Sequence, residues 1–177
     1  MLMALLARKA DFALHVVDEE EYPRLSPLFE KFPQPIRTAL QLQTDSAHQF
    51  YLETSEGPCG FIRLLEVDGS NHRCRWDVLI PEDLKMKPST FILCFLALDH
   101  IFESLNLQKV QASVLASDEA SMELHRKLGF FEEGHLARHV MRGDKFVDII
   151  LFAHFKDAWE KRRKYLEESL NIGSLKT

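Results

Sequence analysis

The run Ser117-Asp118-Glu119-Ala120-Ser121-Met122-Glu123-Leu124-His125-Arg126-Lys127-Leu128-Gly129-Phe130-Phe131-Glu132-Glu133-Gly134 decides how this chain folds. A strand-like stretch, Val110 to Leu115, leads into it. The run then reads as a short amphipathic helix, apolar at Met122, Leu124 and Leu128 and charged at Glu123, Arg126 and Lys127. Ser117 or Asp118 is an adequate N-cap. Gly129 ends the helix where a residue with positive φ is wanted, and a second strand begins beyond it.

Toward the C-terminus, the strands His135 to Met141 and Phe146 to Phe155 flank an Arg142-Gly143-Asp144-Lys145 turn. Asp157 can cap a final helix, with Glu160 as its capping-box partner. Glu160–Lys164 and Lys164–Glu168 pairs follow at four-residue spacing. Toward the N-terminus lie the strand Lys109–Leu115 and a helix, Pro88 to Leu105, that is apolar nearly all round and therefore central and buried. Earlier strands are Arg73–Ile80, Gly60–Val67, Gln49–Glu53 and Phe12–Val17. Asp18 to Phe32 reads as a helix with Leu25, Leu28, Phe29 and Phe32 on one side, and Ile36 to Leu42 as a second short one. The order β-α-α-β-β-β-α-β-α-β-β has no repeat or linker, which predicts one α/β domain over residues 1–177.

The Ser117–Gly134 run resembles the signature of the GNAT superfamily of acyl-CoA-dependent N-acetyltransferases. The family form is Asn-x-x-Ser or Asn-x-x-Ala, an aromatic or His, Lys-Leu-Gly-Phe and a Glu-Gly pair. The resemblance covers Arg75 to Phe155. It implies a mixed central sheet, splayed in the middle, with helices on both faces. It also implies acetyl-CoA as co-substrate, lying between the family's fourth and fifth strands, here Arg73–Ile80 and Lys109–Leu115. The hairpin from Glu133 to Asp148 is similar to the RimJ/RimL branch. That branch includes enzymes acting on protein N-terminal amines and relatives acting on amino groups of nucleotide sugars.

Composition excludes several classes. The apolar fraction of 46% is that of a globular chain. A net charge of −5 argues against general nucleic-acid affinity. Cys59, Cys74 and Cys94 are odd in number and lack Cys-x-x-Cys spacing, so neither a disulfide framework nor a zinc site is expected. Cys74 and Cys94 read as small buried hydrophobes. His135 and His139 share four-residue spacing without a third ligand, so no metal is expected. Met1 to Ala7 is ended by Arg8 and Lys9, the reverse of a signal peptide's charge order. Phe91 to Leu98, the longest apolar run, is too short to span a bilayer. A soluble, cytoplasmic protein is expected, monomer or homodimer being left open.

Acetyl transfer to an amine needs a polarised thioester carbonyl, a neutral amine, a protonated leaving thiolate and held phosphates. The resemblance implies that a bulge at Val78, Leu79 and Ile80 exposes a backbone N–H to the carbonyl. Three carboxylates are candidates to draw the amine's proton: Asp77 before that bulge, Glu66 on the preceding strand, and Asp148 among Phe146, Val147, Ile149 and Ile150. A lone acid in an apolar strand must find a partner. His125 occupies the family's Tyr position, four residues before Gly129. It could protonate the thiolate, or be an ordinary helix-surface residue. Asp118 and Ser121 match positions that hold the pantetheine arm, or serve only as caps.

The phosphate loop departs from the family. Its Arg/Gln-x-x-Gly-x-Gly/Ala form, which aims amides at phosphates from a helix N-terminus, corresponds here to Asp83-Leu84-Lys85-Met86-Lys87-Pro88-Ser89-Thr90, without glycine. Pro88 has no N–H to donate. Lys85, Lys87, Ser89 and Thr90 are the expected substitutes. Two readings follow: an N-acetyltransferase acting on a protein N-terminus or small-molecule amine, or a catalytically silent GNAT fold used for binding or assembly.

Overall fold

Strand residues alternate between two faces of a sheet, and a helix covers the face it can bury. The computed structural model describes residues 5–9, 12–17, 19–32 and 49–170. Its strands are β1 (Leu5–Lys9), β2 (Phe12–Val16), β3 (Gln49–Thr54), β4 (Gly57–Asp68), β5 (Arg73–Leu79), β6 (Lys109–Leu115), β7 (Phe131–Arg142) and β8 (Lys145–Phe155). They form one mixed sheet in the order β1-β2-β3-β4-β5-β6-β8-β7. The helices are α1 (Tyr22–Phe29), α2 (Pro88–Asp99), α3 (Glu119–Leu128) and α4 (Lys156–Ser169). The expected helix at Ile36–Leu42 lies outside the described residues.

α2 buries eight of its residues, among them Leu93, Phe95 and Leu96. It packs on β2, β3 and β4 and touches α3 and α4, so an all-round apolar helix does sit at the centre. On this face the core joins Ile62, Leu64, Cys74, Trp76, Val110 and Phe152 of the strands. The opposite face carries α1, whose Leu25, Leu28 and Phe29 cover Tyr51 and Phe61. Phe29 and Phe61 stack with centroids 5.0 Å apart. Each fully buried Leu or Phe contributes roughly 1.5–3 kcal/mol.

Several boundaries differ from the sequence reading. β1, which the apolar pattern did not suggest, exists because β2 offers it a ladder from Leu5↔His15 to Lys9↔Phe12. The two strands adjoin in sequence, but Leu5-Leu6-Ala7-Arg8-Lys9 has no apolar alternation to announce the first of them. α2 stops at Asp99 and continues as one wide turn, His100–Ser104, closed by Leu105 N–H donating to the His100 carbonyl. α4 begins at Lys156 with Phe155 at its N-cap. Asp157 lies inside the first turn, where it accepts from the Ala158 N–H. The α4 side chains that form ion pairs include Arg163, with Asp99 and Glu167. No helix among the described residues is long and apolar enough to cross a membrane.

β5 and β6 are parallel, but they pair only at Arg73↔Lys109, Cys74↔Val110 and Arg75↔Gln111. β6 then follows β8 for its whole length, to Leu115↔Ile149. β5 stays with β4 to Phe61↔Leu79. The sheet therefore splays beyond Arg75 and Gln111.

The run that links the two halves behaves as its sequence predicts. Asp118 caps α3 by accepting from the Ser121 N–H, and Gly129 ends it at φ 102°. A Cβ at Gly129 would stand 3.1 Å from Arg162 Cγ and 3.4 Å from His154 Nε2. Gly129→Ala is expected to lower unfolding free energy by about 1–2 kcal/mol, or more if Arg162 cannot move. Urea titration of the two proteins checks this, and an equal midpoint would refute it.

Candidate active site

The splay leaves a wedge of about 370 Å³ that passes through the sheet. On the α3 side its wall includes Trp76, Val78, Asp118, Ser121 and His125. On the other side it includes Arg63, Asp77, Leu79 and Ser113. Along β5, every second N–H beyond Arg75 faces the side that β6 has left. These amides are exposed by the divergence of the strands and not by a bulge: pairing runs without a break from Arg75 to Leu79, and the register shift lies between Leu65 and Asp68. Val78 and Leu79 thus line the wedge as expected. Ile80 lies beyond the strand, folded over Gly60 in the core.

Trp76 and His125 fix the α3 wall. Trp76 Nε1 donates to His125 Nε2 across 3.2 Å. An indole N–H can only donate, so Nε2 carries no proton. The neutral ring's proton is then on Nδ1, which donates to the Ser121 carbonyl at 2.7 Å. His125 is 4% exposed, so it is not a helix-surface residue. Desolvation holds its pKa below the ordinary value. The expected role of thiolate acid therefore meets a geometric objection: the one proton of the ring points along its own helix and not into the wedge.

Of the candidate bases, only Asp77 lines the wedge. Its Oδ2 accepts from Arg63 Nη2 at 2.6 Å. Glu66 is turned to Arg75, 2.6 Å away, on the rim of a separate hollow. Asp148 has found its partners on the hairpin, accepting from the Arg138 N–H at 2.7 Å and meeting His135 Nε2 at 2.7 Å. The Arg138 amide and then His135 hold its carboxyl below the usual range. Asp148 pins the irregular stretch of β7 where Arg138 has φ 50°, and it is not among the residues of the wedge.

The phosphate-loop residues scatter. Lys85 Nζ is held by Asp118 at 3.0 Å and Glu82 at 2.9 Å, joining the β5–α2 loop to the cap of α3. Ser121 Oγ donates to the same Asp118 carboxylate. Lys87 and Ser89 instead line a different hollow, between the β3–β4 turn and α2. Thr90 is buried, its hydroxyl donating to the Leu84 carbonyl at 2.6 Å. The four residues expected to substitute for the glycine loop are therefore not gathered at one place: Lys85 lies beside the α3 cap, Lys87 and Ser89 at the other hollow, and Thr90 in the core. The loop's amides are also largely used: those of Leu84, Lys85, Lys87 and Thr90 bond back to carbonyls within 81–87.

The sequence reading missed Trp76 and Arg63. Arg63, a lone charge in the apolar run Gly60-Phe61-Ile62-Arg63-Leu64-Leu65, was a usable signal. Trp76 carried none that separates it from an ordinary core aromatic.

No protein-family model matches the chain. It is 24% identical over 145 residues to the spermidine N(1)-acetyltransferase of Escherichia coli K12, covering 82% of this chain and 73% of that one. It is 24% identical over 150 residues to the SPbeta prophage-derived uncharacterized N-acetyltransferase YokL of Bacillus subtilis, covering 85% and 82%. In sequence the chain is similar to proteins named as N-acetyltransferases, and its fold is that of the GNAT acetyltransferases. The spermidine N-acetyltransferase of Vibrio cholerae, solved with CoA and spermine, superposes with a TM-score of 0.71 at 18% identity, over 86% of this chain and 99% of that one. Likeness at this identity establishes the fold.

Beside the wedge, a second buried imidazole shares the aromatic cluster. His154 Nδ1 accepts from the Phe155 N–H, and desolvation, with Arg162 nearby, lowers its pKa to about 4. An unfolded His titrates near 6.5. Between these values the unfolded chain binds a proton that the folded chain refuses, so stability falls as pH drops from about 6.5 toward 4. One such group gives a limiting slope of about 1.4 kcal/mol per pH unit. His154→Phe is expected to flatten the decline in unfolding free energy between pH 6.5 and 4.5, read by urea denaturation at each pH. An unchanged slope would show that His154 is not held neutral.

Proposed function

We propose that this chain is an N-acetyltransferase that moves an acetyl group from acetyl-CoA to a primary amine. The observation that carries this reading is the wedge between β5 and β6, lined by backbone amides that the splay has left without strand partners. Such donors suit a thioester oxygen that gains charge during transfer. The relatives' names supply the direction of the chemistry: transfer of acetyl to nitrogen. Among the acceptors that the RimJ/RimL-like hairpin allows are a protein N-terminus, a small-molecule amine and the amino group of a nucleotide sugar.

In this reading acetyl-CoA supplies the thioester. The amine nitrogen bonds to its carbonyl carbon, the carbon–sulfur bond breaks, the nitrogen loses a proton and the sulfur gains one. Asp77 receives the amine's proton through water, because it alone of Asp77, Asp148 and Glu66 lines the wedge. Ser121 and Asp118 flank the pantetheine arm. His125 positions Trp76 and α3, and solvent in the open wedge protonates the thiolate.

A second reading, a silent fold, is favoured by the loop, where Lys85 is already neutralised and most amides are used. Ligand-induced stabilisation separates the two. Acetyl-CoA at about a hundred times its dissociation constant should add about 2.7 kcal/mol. Lys85→Ala should weaken CoA by only about two- to threefold and leave pantetheine nearly unaffected, since the ammonium must leave Asp118 and Glu82 to meet a phosphate. No stabilisation by millimolar acetyl-CoA would favour the silent fold.

The role given to His125 has its own check. His125→Gln keeps an acceptor for the Trp76 indole but offers no titratable proton. Its turnover is expected within about threefold of wild type at equal stability. A loss near the ~10²-fold typical of a missing general acid, without loss of stability, would restore the imidazole as proton donor.

A further inference from the structure

The far wall of the wedge differs in character from the α3 wall. Arg63 on β4 and Asp77 on β5 are cross-strand partners, and Gln49 on β3 pairs with Arg63 from the other side. The residues form one polar row on the face opposite α3, reaching the wedge beside Ser113. Arg63 is only 9% exposed, and its Nε is buried without a hydrogen-bond partner among the described residues. A guanidinium has five N–H donors and no acceptor capacity. A nearly buried guanidinium on the wall of a reaction cleft, with more N–H donors than the Asp77 carboxylate takes up, suits an oxygen from outside the chain.

We propose that Arg63 decides which amine is acetylated: the acceptor carries a carboxylate or carbonyl oxygen one or two carbons from its amine, and polycationic amines are rejected. The inference rests on the acetyl-CoA reading above and specifies the acceptor of that same site. The Arg63–Asp77 pair, Nη2 donating to Oδ2 at 2.6 Å, sets a guanidinium with further N–H donors beside a carboxylate with a second oxygen. An amino group and an oxygen on neighbouring carbons present the complementary pair. The ammonium docks at Asp77, which takes its proton through water before transfer, while the oxygen docks at Arg63.

The charges of the wedge also oppose a polyamine. Its ionic side chains are Arg63, Asp77 and Asp118; Asp77 is matched by Arg63, and Asp118 by Lys85. Among the described residues no carboxylate in the wedge is left for a second or third ammonium, which would lie beside a guanidinium in a poorly screened cleft. The spermidine-named relatives are 24% identical to this chain, which leaves room for a different acceptor wall.

The test compares four acceptors with the whole protein and acetyl-CoA, following thiol release: alaninamide, alanine, propylamine and spermidine. Wild type should favour alaninamide or alanine over both propylamine and spermidine by at least roughly tenfold in kcat/KM. Arg63→Lys and Arg63→Gln should collapse that ratio at least roughly tenfold, mostly through KM, while acetyl-CoA still raises Tm. Arg63→Lys guards against a misfolded Gln variant, because it keeps a charge opposite Asp77 but cannot form the fork. Preference for spermidine, an unchanged ratio in both variants, or turnover of none of the four with acetyl-CoA bound would overturn the proposal. Absence of any acetyl-CoA stabilisation would overturn the enzyme reading itself, so the two failures are distinguishable.

Discussion

The parting of β5 from β6 after three residue pairs is the constraint on which the site depends. A parallel pair that continued would satisfy the backbone of both strands and leave no space between them. β6 is drawn away because β8 pairs with all of it, and β5 because β4 holds it through Leu79. Something must then keep the wedge from closing by collapse of α3 onto the gap. The Trp76–His125 hydrogen bond does this. It joins a strand side chain to a helix side chain, and Phe130 stacks on the indole at 5.1 Å while Phe152 stacks on the imidazole at 5.4 Å. The indole is 2% exposed, so the bond is formed in a region where an unmade one would be expensive.

That same cluster explains why imidazoles are used where apolar rings would pack. His125 links two elements through two nitrogens with opposite roles: an acceptor toward β5 and a donor toward its own helix. A phenyl ring could fill the volume but could not answer the indole N–H. His154 similarly answers the Phe155 N–H at the β8–α4 junction. Both bonds require the neutral ring, so the architecture is matched to pH above the usual His range. His15 and His100 are likewise held below their ordinary value by burial, which extends the dependence to the other end of the sheet.

How much of this could be read in advance follows the range of each interaction. Lys109–Leu115 and Glu119–Leu128 were legible to the residue, because alternation, an N-cap and a C-terminal glycine are local signals. The buried course of α2 was legible because it is apolar on all sides. β1 was not, since its partner supplies the pattern. The splay itself was implied by family resemblance and not by any residue of β5 or β6. Site residues followed the same division. Val78, Asp77, Asp118 and Ser121 were placed by register and spacing. The directions of Lys87, Ser89 and Thr90 were not legible because a loop's sequence does not say which way its side chains turn. The burial of His125 was not legible because its surroundings come from β5 and β8, far away in the chain.

The loop between β5 and α2 shows how one compositional change redistributes a binding task. A glycine-rich turn leaves amides free because its φ values carry them away from local carbonyls. Without glycine, the 81–90 stretch winds into successive tight turns, and four of its amides bond inward. Pro88 then starts α2 without an N–H. What remains for an anionic ligand near this helix end is the α2 dipole and the Lys85 ammonium, and the ammonium already serves Asp118 and Glu82. An anion arriving there must compete with two carboxylates, so the net gain is the difference between two ionic arrangements. Such a difference is small and strongly screened by salt. The wedge, with its strand amides and apolar α3 wall, must therefore supply most of the affinity for any ligand that spans both.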